Sequence, residues 1–323
     1  MSVDVGVPPP PTPTAPDKPR KPHVRPGDRV FFGLAVGAGA AILTVLAGVA
    51  VFLIIKAWPA FTADKADLPE HKNLLKFIGP LAFGTVLGAT IAVILAAPMA
   101  IAIALYITHY APPRLANTLG LLVDLLAAVP SIVYGLWGIA VLAPHAVPFS
   151  TWLDDHLGWI PLFKGPASST GRTMLVVGIV LAVMILPVIT AISREVFKQT
   201  PRLHQEAALA LGATRWEMIR MTVLPFGRSG VISGTMLGLG RALGETMAVA
   251  IILSASDVVS FNLISRSNSG TIAANIALSF PDSSGVKVNA LIASGLVLFA
   301  ITLTVNMIAR AIINQRREFS GAN

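Results

Sequence analysis

Three charged side chains, Asp124, Arg241 and Glu245, fall well inside long apolar stretches of this 323-residue sequence. A charge at the centre of a membrane helix costs roughly 2.5–3.5 kcal/mol on insertion scales, so each needs a reason to be there. Arg241 and Glu245 stand four apart, on one face of a continuous helix, where they can offset each other's charge. One use of such a pair is to lock two helices together. The other is chemical: Arg241 faces a polar path and meets an anion there, with Glu245 balancing the guanidinium when the path is empty. A planar, permanently charged fork fits the oxygens of phosphate better than a lysine would. Glu245 can also accept a hydrogen bond from a protonated phosphate oxygen, which a fully deprotonated sulfate does not offer. Charges inside membrane spans generally mark pathways, and this favours the chemical use.

A second polar interruption lies at residues 125–138, LLAAVPSIVYGLWG. Pro130 removes a backbone hydrogen bond there, and the freed carbonyls with Ser131 and Tyr134 either line a polar path or form a plain kink relieved by a neighbouring helix. Asp124, about one turn inside its span, suits a snorkelling or gating ion pair better than a substrate contact, because its charge repels an anion. Other chemistries are excluded. The chain has no cysteine, hence no disulfide, thiolate metal site or cysteine nucleophile. Its histidines, at 23, 71, 109, 145, 156 and 204, are scattered without zinc-helix spacing. No Gly-Lys-Ser/Thr occurs, so a Walker A loop is absent and the chain does not itself hydrolyse ATP in the usual way. No nucleophile and base sit at a spacing that suggests an intramembrane enzyme.

The elements that must position these groups are membrane helices. Hydrophobic residues make up 54% of the chain and charged ones 12%, with mean hydropathy +0.73, the balance of an all-α integral membrane protein. Six spans are expected, at about 30–55, 80–108, 119–143, 173–193, 229–255 and 288–313, each near or above the roughly 20 residues a bilayer core requires. Residues 1–27, proline-rich and poor in apolar surface, are expected to form a disordered tail, and 319–323 a short second one. The net charge of +8 sits in tails and short loops, where orientation in the membrane accounts for it and no nucleic-acid partner is implied. Lys and Arg concentrate on the side holding both termini and the 194–228 loop, which places that side in the cytoplasm.

The loops differ in content. In 144–172, Trp152, Leu153, Trp159, Ile160 and Leu162 interleave with Asp154 and Asp155, suiting a segment lying at the membrane interface or a landing surface for a soluble binding protein. The Ser- and Asn-rich 256–287 loop is solvated or re-entrant backbone. Glycines four apart, Gly33/Gly37, Gly84/Gly88, Gly234/Gly238 and Gly240/Gly244, suit close helix packing.

The most organised stretch outside the spans is 193–227, SREVFKQTPRLHQEAALALGATRWEMIRMTVLPFG. Thr200 can cap a helix beginning at Pro201, Gly212 suits a left-handed stop, and Thr214 with Glu217 forms a capping box for a second helix running towards Pro225. Leu203, Ala207, Ala210 and Leu211 share one face of the first arm, and Trp216, Ile219 and Val223 one side of the second. Small Ala207 and Ala208 permit close approach of a partner. Such an elbow is either an amphipathic loop lying on its own membrane or a docking element.

Glu206-Ala207-Ala208, Gly212 and Leu224-Pro225, at their spacing here, resemble the EAA loop of bacterial ABC importer permeases, the coupling segment that docks on an ATP-binding subunit. Thr222 stands where that loop usually has an aliphatic residue. Residues 238–249, GLGRALGETMAV, resemble the fifth-helix signature of phosphate-specific permeases of the PstC and PstA kind, and 125–138 resemble their third helix. The likeness extends over most of 28–318, and Asp28-Arg29-Val30-Phe31 with Trp137-Gly138 favours PstC.

The resemblance implies a six-helix permease of the ABC importer type in the bacterial plasma (inner) membrane, with a cytoplasmic coupling loop at 194–228 and both termini inside. It implies a subunit forming half of the path of an ATP-driven importer of inorganic phosphate. Its partners would be a second permease of PstA type, ATPase subunits of PstB type that hold the ATP and Mg, a periplasmic or lipid-anchored phosphate-binding protein, and membrane lipid. Arg241, Glu245, Ser131 and Tyr134 would line the path, and Glu206, Ala207, Ala208, Gly212, Leu224 and Pro225 would couple it to the ATPase. A permease for molybdate, sulfate or phosphonate is the first rival, against which Arg241 and Glu245 speak. An ion-coupled secondary transporter or channel acting alone is the second, and it leaves the elbow unexplained.

Overall fold

A long apolar segment can satisfy its backbone only within itself, and the chain accordingly folds into helices joined by short breaks. The computed structural model describes residues 26–64, 68–69 and 72–317; the expected tails lie almost wholly outside these. The chain divides into two units, residues 1–50 and 51–323. In the first, the described residues belong to helix α1 (Pro26–Thr62), whose side chains from Gly27 to Val49 are all exposed.

The second unit holds α2 (Leu74–Leu105), α3 (Pro113–Ala127), α4 (Ser131–Trp137), α5 (Ala143–Leu157), α6 (Met174–Lys198), α7 (Arg202–Ala210), α8 (Arg215–Met218), α9 (Leu224–Leu243), α10 (Met247–Ile252), α11 (Ile272–Ser279) and α12 (Val286–Arg317). Single π-helical turns extend α2 over Tyr106–Tyr110, join α4 to α5 over Gly138–Leu142 and join α8 to α9 over Ile219–Val223. Two-residue strands β1 (Ala255–Ser256) and β2 (Asn268–Ser269) pair in parallel.

α6 is the axis of the core. Val176, Val180, Met184, Ile185 and Ile189 on it are wholly buried. α2 meets it with Ala89, Ala92, Ala96 and Ala100, also buried, a small-residue face that lets the helix axes approach and gain dispersion contacts. α9 meets it with Gly230, Gly234 and Gly238, where an added Cβ would press on Val196, Ile192 and Ile189 respectively. The packing role expected for glycine pairs thus holds at Gly84/Gly88 and Gly234/Gly238, whereas Gly33, Gly37 and Gly240 face open space.

Two expected spans are corrected. Among the described residues five single helices are long and apolar enough to cross a membrane: Gly27–Thr62, Leu74–Tyr110, Ser131–Leu157, Met174–Lys198 and Val286–Ala311. The stretch expected as one span at 229–255 breaks after Leu243, and α9 is diluted by glycines and by Arg228 and Arg241. The span expected at 119–143 is broken at Ala128–Pro130, because a residue before proline is pushed out of the helical region. The apolar helix restarts at Ser131 and runs on to Leu157, so Trp152 and Leu153 belong to a helix rather than to a loop.

Candidate functional site

The elbow is built by local rules. α7 starts at Arg202 with Pro201 in the cap position, so the cap expected from Thr200 does not form; its hydroxyl is buried without a partner, and its carbonyl accepts from Gln205 Nε2 at 3.1 Å. Gly212 ends the arm at φ +87°, the left-handed conformation that favours glycine. The Thr214 capping box is complete: Glu217 N–H donates to the Thr214 hydroxyl, and Glu217 Oε2 accepts from the Thr214 N–H at 2.8 Å and its hydroxyl at 2.8 Å. These two bonds, the backbone one first, hold the Glu217 carboxyl below the usual carboxylate range.

Burial sorts the elbow residues. Ala208 packs inward with Phe197, Met218, Ile219 and Val223 against Ala104 and Leu105 of α2. Glu206, Ala207 and Gly212 face out, so of the two small alanines only Ala207 is presented to a partner. Trp216 does not share the side of Ile219 and Val223, which are fully buried while it stays exposed. Leu203 and Leu211, at 77% and 89% exposure, are apolar side chains with no cover in this chain.

The second arm does not end at Pro225. α8, the π turn and α9 form one uninterrupted rod from Arg215 to Leu243, about 40 Å long at a rise of ~1.5 Å per residue. Proline inside a helix lacks an N–H and crowds the carbonyl four residues back. The π turn just before it, closed by the Leu224 N–H bonded to the Ile219 carbonyl, widens the ladder where Pro225 enters. Leu224 and Pro225 therefore splice the elbow to the rod.

Arg241, half-buried, occupies the last turn of that rod, where a cation complements the helix dipole. The intrahelical pair expected with Glu245 is absent. Gly244 ends α9, and the Thr246 hydroxyl donates to the Gly244 carbonyl at 3.1 Å. Glu245, only 8% exposed, is used at the start of the next helix, its Oε1 accepting the Ala248 N–H at 3.0 Å. Among the described residues no ion pair joins the two.

The second break faces the first. α4 packs against α10 so closely that a Cβ on Gly135 would lie 2.8 Å from the Ala248 Cα. Tyr134, buried, donates its hydroxyl to the Leu126 carbonyl at 2.8 Å, one of the acceptors freed by the break at Pro130. Ser131, half-buried, opens α4 one turn earlier. The breaks that precede α4 and α10 thus lie in adjoining helices. Asp124 is elsewhere: its carboxylate accepts two bonds from Arg194 Nη2, at 3.1 and 3.0 Å, tying α3 to the end of α6 over Gly120.

The family model described as binding-protein-dependent transport system inner membrane component matches residues 96–318, a range holding both breaks and the whole elbow. The chain belongs to that family. Within it the chain groups with the PstC permeases. It is 47% identical over 300 residues to phosphate transport system permease protein PstC 2 of Mycobacterium tuberculosis, covering 89% of this chain and 92% of that one. It is 48% identical over 300 residues to phosphate transport system permease protein PstC of Mycobacterium leprae, covering 90% and 94%. A solved chain of a bacterial alginate ABC transporter, in complex with its alginate pentasaccharide-bound periplasmic protein, shares the fold at a TM-score of 0.61 with 12% identity, over 92% of this chain and 97% of that one. The protein is therefore a multi-pass inner-membrane permease of ABC importer fold.

At the other end of α6 from the elbow, the stretch read from the sequence as solvated or re-entrant backbone forms a bonded structure. Arg172 donates from Nε and Nη2 to the carbonyls of Ile252 and Ile251, at 3.1 and 3.3 Å, satisfying the C-terminal end of α10. Asn268, fully buried, donates to the carbonyls of Arg172 and Ser265 and accepts from the Met174 N–H that opens α6. Thr85 on α2 accepts the Ile272 N–H at 3.0 Å, starting α11, and a Cβ on Gly84 would collide with the Gly270 carbonyl. The 256–287 stretch is thus re-entrant, with Ile272 in the core. The available signal was a run of Ser and Asn next to a glycine on an otherwise apolar helix. Asp154, expected at an interface, is turned inward and accepts the Ala167 N–H at 3.3 Å.

Proposed function

We propose that this chain is the membrane-spanning subunit of an ATP-driven importer of inorganic phosphate, supplying half of the translocation path and the joint that couples it to a cytoplasmic ATPase. One observation carries the reading: the outward-facing elbow and Arg241 are the two ends of a single helical rod. The names of the mycobacterial relatives support phosphate as the substrate. Arg241 holds the anion bidentately. Ser131 brings a hydroxyl from the adjoining helix, and Tyr134, whose own proton goes to the Leu126 carbonyl, holds the shape of that break beside it. One oxygen of Glu245 is committed to Ala248 N–H, and the other accepts from a protonated phosphate oxygen.

At the elbow, Glu206, Ala207 and Gly212 with Leu203 and Leu211 meet the ATPase, while Ala208, Leu224 and Pro225 keep the joint in shape. The assembly contains a second permease of PstA type and ATPase subunits of PstB type, which hold ATP and Mg, fed by a periplasmic or lipid-anchored phosphate-binding protein. This chain supplies no catalytic group to hydrolysis. With the broken α9–α10 stretch counted as the sixth crossing, its termini and elbow face the cytoplasm.

Uptake of labelled phosphate into vesicles, with ATP inside and the proton gradient collapsed, tests the reading. Persistent uptake supports it; loss on collapse marks an ion-coupled secondary transporter, and preference for sulfate or molybdate marks another oxyanion. Arg241→Ala is expected to abolish uptake while the complex stays assembled and binds ATP. Normal uptake by that variant removes Arg241 from the path.

A further inference from the structure

A groove of about 670 Å³ opens where the end of α2 meets the elbow. Ile101, Leu105, Tyr106 and Tyr110 form one wall, and Trp216 and Leu224 of the rod form the other. Its volume falls within the roughly 300–1,000 Å³ of small-molecule sites, and the surface it presents is almost wholly apolar. The α2 wall is the last turns of Leu74–Tyr110, a helix long and apolar enough to cross a membrane.

The rim is different. Tyr110 and Trp216 are exposed aromatics of the kind that sit at headgroup level. Arg215 precedes Trp216, and Arg220 follows it one turn later on the same side of the helix; both are exposed, and among the described residues neither has an ion-pair partner. Arg114, also exposed, opens α3 just beyond Tyr110. An apolar slot at the end of a membrane-length helix, with arginines next in sequence to Trp216 and one turn before Leu224 on its wall, matches an acyl chain carrying a phosphate.

We propose that this groove binds an anionic phospholipid of the surrounding bilayer, its acyl chain along α2 and its headgroup phosphate held by Arg215 and Arg220. Guanidinium groups bind phosphate oxygens through paired, charge-assisted hydrogen bonds. The chain's own N-terminal tail is the wrong occupant. Its Lys18, Arg20, Lys21 and Arg25 would be repelled by these arginines, and its prolines offer little apolar bulk. Bound there, the lipid bridges the end of α2 to the rod and holds the elbow against the bundle. The site does not depend on what the permease carries.

The test uses the full-length chain, in the complex in which it is isolated, placed in phosphatidylcholine vesicles containing dibrominated phosphatidylglycerol or dibrominated phosphatidylcholine. Bromine quenches nearby tryptophan, and the difference between wild type and Trp216→Phe isolates Trp216. Half-maximal quenching of Trp216 is expected at about fivefold lower content of the brominated phosphatidylglycerol. The preference should shrink with added salt, a readout that needs no change in the arginines. Arg215→Gln with Arg220→Gln should abolish the preference and leave the quenching itself. Equal quenching by the two lipids would overturn headgroup recognition. Absence of Trp216 quenching by either would show the groove filled by protein and overturn the proposal altogether.

Discussion

The two ends of α6 are built on opposite plans. At the Met174 end, Arg172, Asn268, Thr85 and Asp154 each bond to backbone far away in sequence, and the loops close over themselves. At the Lys198 end, the elbow is held by its own local cap, by one glycine and by a small apolar cluster, and it leaves Leu203, Leu211 and Trp216 bare. A buried polar network fixes one arrangement, because every unmade bond in it is costly. A surface held by local rules and edged with bare leucines is completed from outside. Disturbing the first end should unfold the permease; disturbing the second should leave it folded and impair what it works with.

The sharpest way to break this contrast is Asn268→Ala. It strands three backbone groups inside the cap, at about 1–3 kcal/mol for each one left unsatisfied, and should lower the unfolding temperature in detergent more than any elbow substitution. A smaller effect is expected from Gly212→Ala. There is room for the methyl group, but its φ of +87° costs roughly 1–2 kcal/mol, so the fold survives while the angle between the arms shifts. ATP hydrolysis without matching phosphate uptake should be the measured outcome; normal coupling would deny the elbow its role.

Smaller still is Thr214→Ala, which removes the cap of α8 for about 1 kcal/mol. Because the folded-state value of Glu217 is lowered, its contribution is present above the ordinary carboxylate range and is lost as pH falls through that lowered value. The protection factors of the 214–218 amides, with the pH dependence of intrinsic exchange divided out, should therefore fall on acidification in wild type and already be low near neutral pH in the variant. Leu211→Ala should change stability least, within about 0.5 kcal/mol as exposed positions do, yet reduce co-purification of the ATPase. Unchanged co-purification would make the bare leucines ordinary surface.

How much of this was legible in the sequence follows the range of the interactions. Gly212 and the Thr214–Glu217 box could be found because each is settled within four residues. The apolar spans were visible by length, and the resemblance to PstC permeases rested on residues standing close together. Thr200 misled because Pro201 took the cap position itself. The break after Leu243 was hidden because an apolar run with a glycine does not announce where the helix stops, and the Arg241–Glu245 pair was inferred from continuity that Gly244 ends. Asn268 could not be anticipated at all: two of its three partners, Arg172 and Met174, lie almost a hundred residues back, and periodicity carries no trace of such bonds.

The glycine face of α9 bears on how the molecule can move. Gly230, Gly234 and Gly238 recur about once per turn beneath Val196, Ile192 and Ile189, which recur at nearly the same interval in the antiparallel helix. Such a contact has discrete seats: each β-branched side chain rests over one glycine, and a glide of one turn would lift it out and set it over the next. Traffic along it would cost little at rest or at the end of the stroke, and the Arg241 end would travel as far as the elbow does.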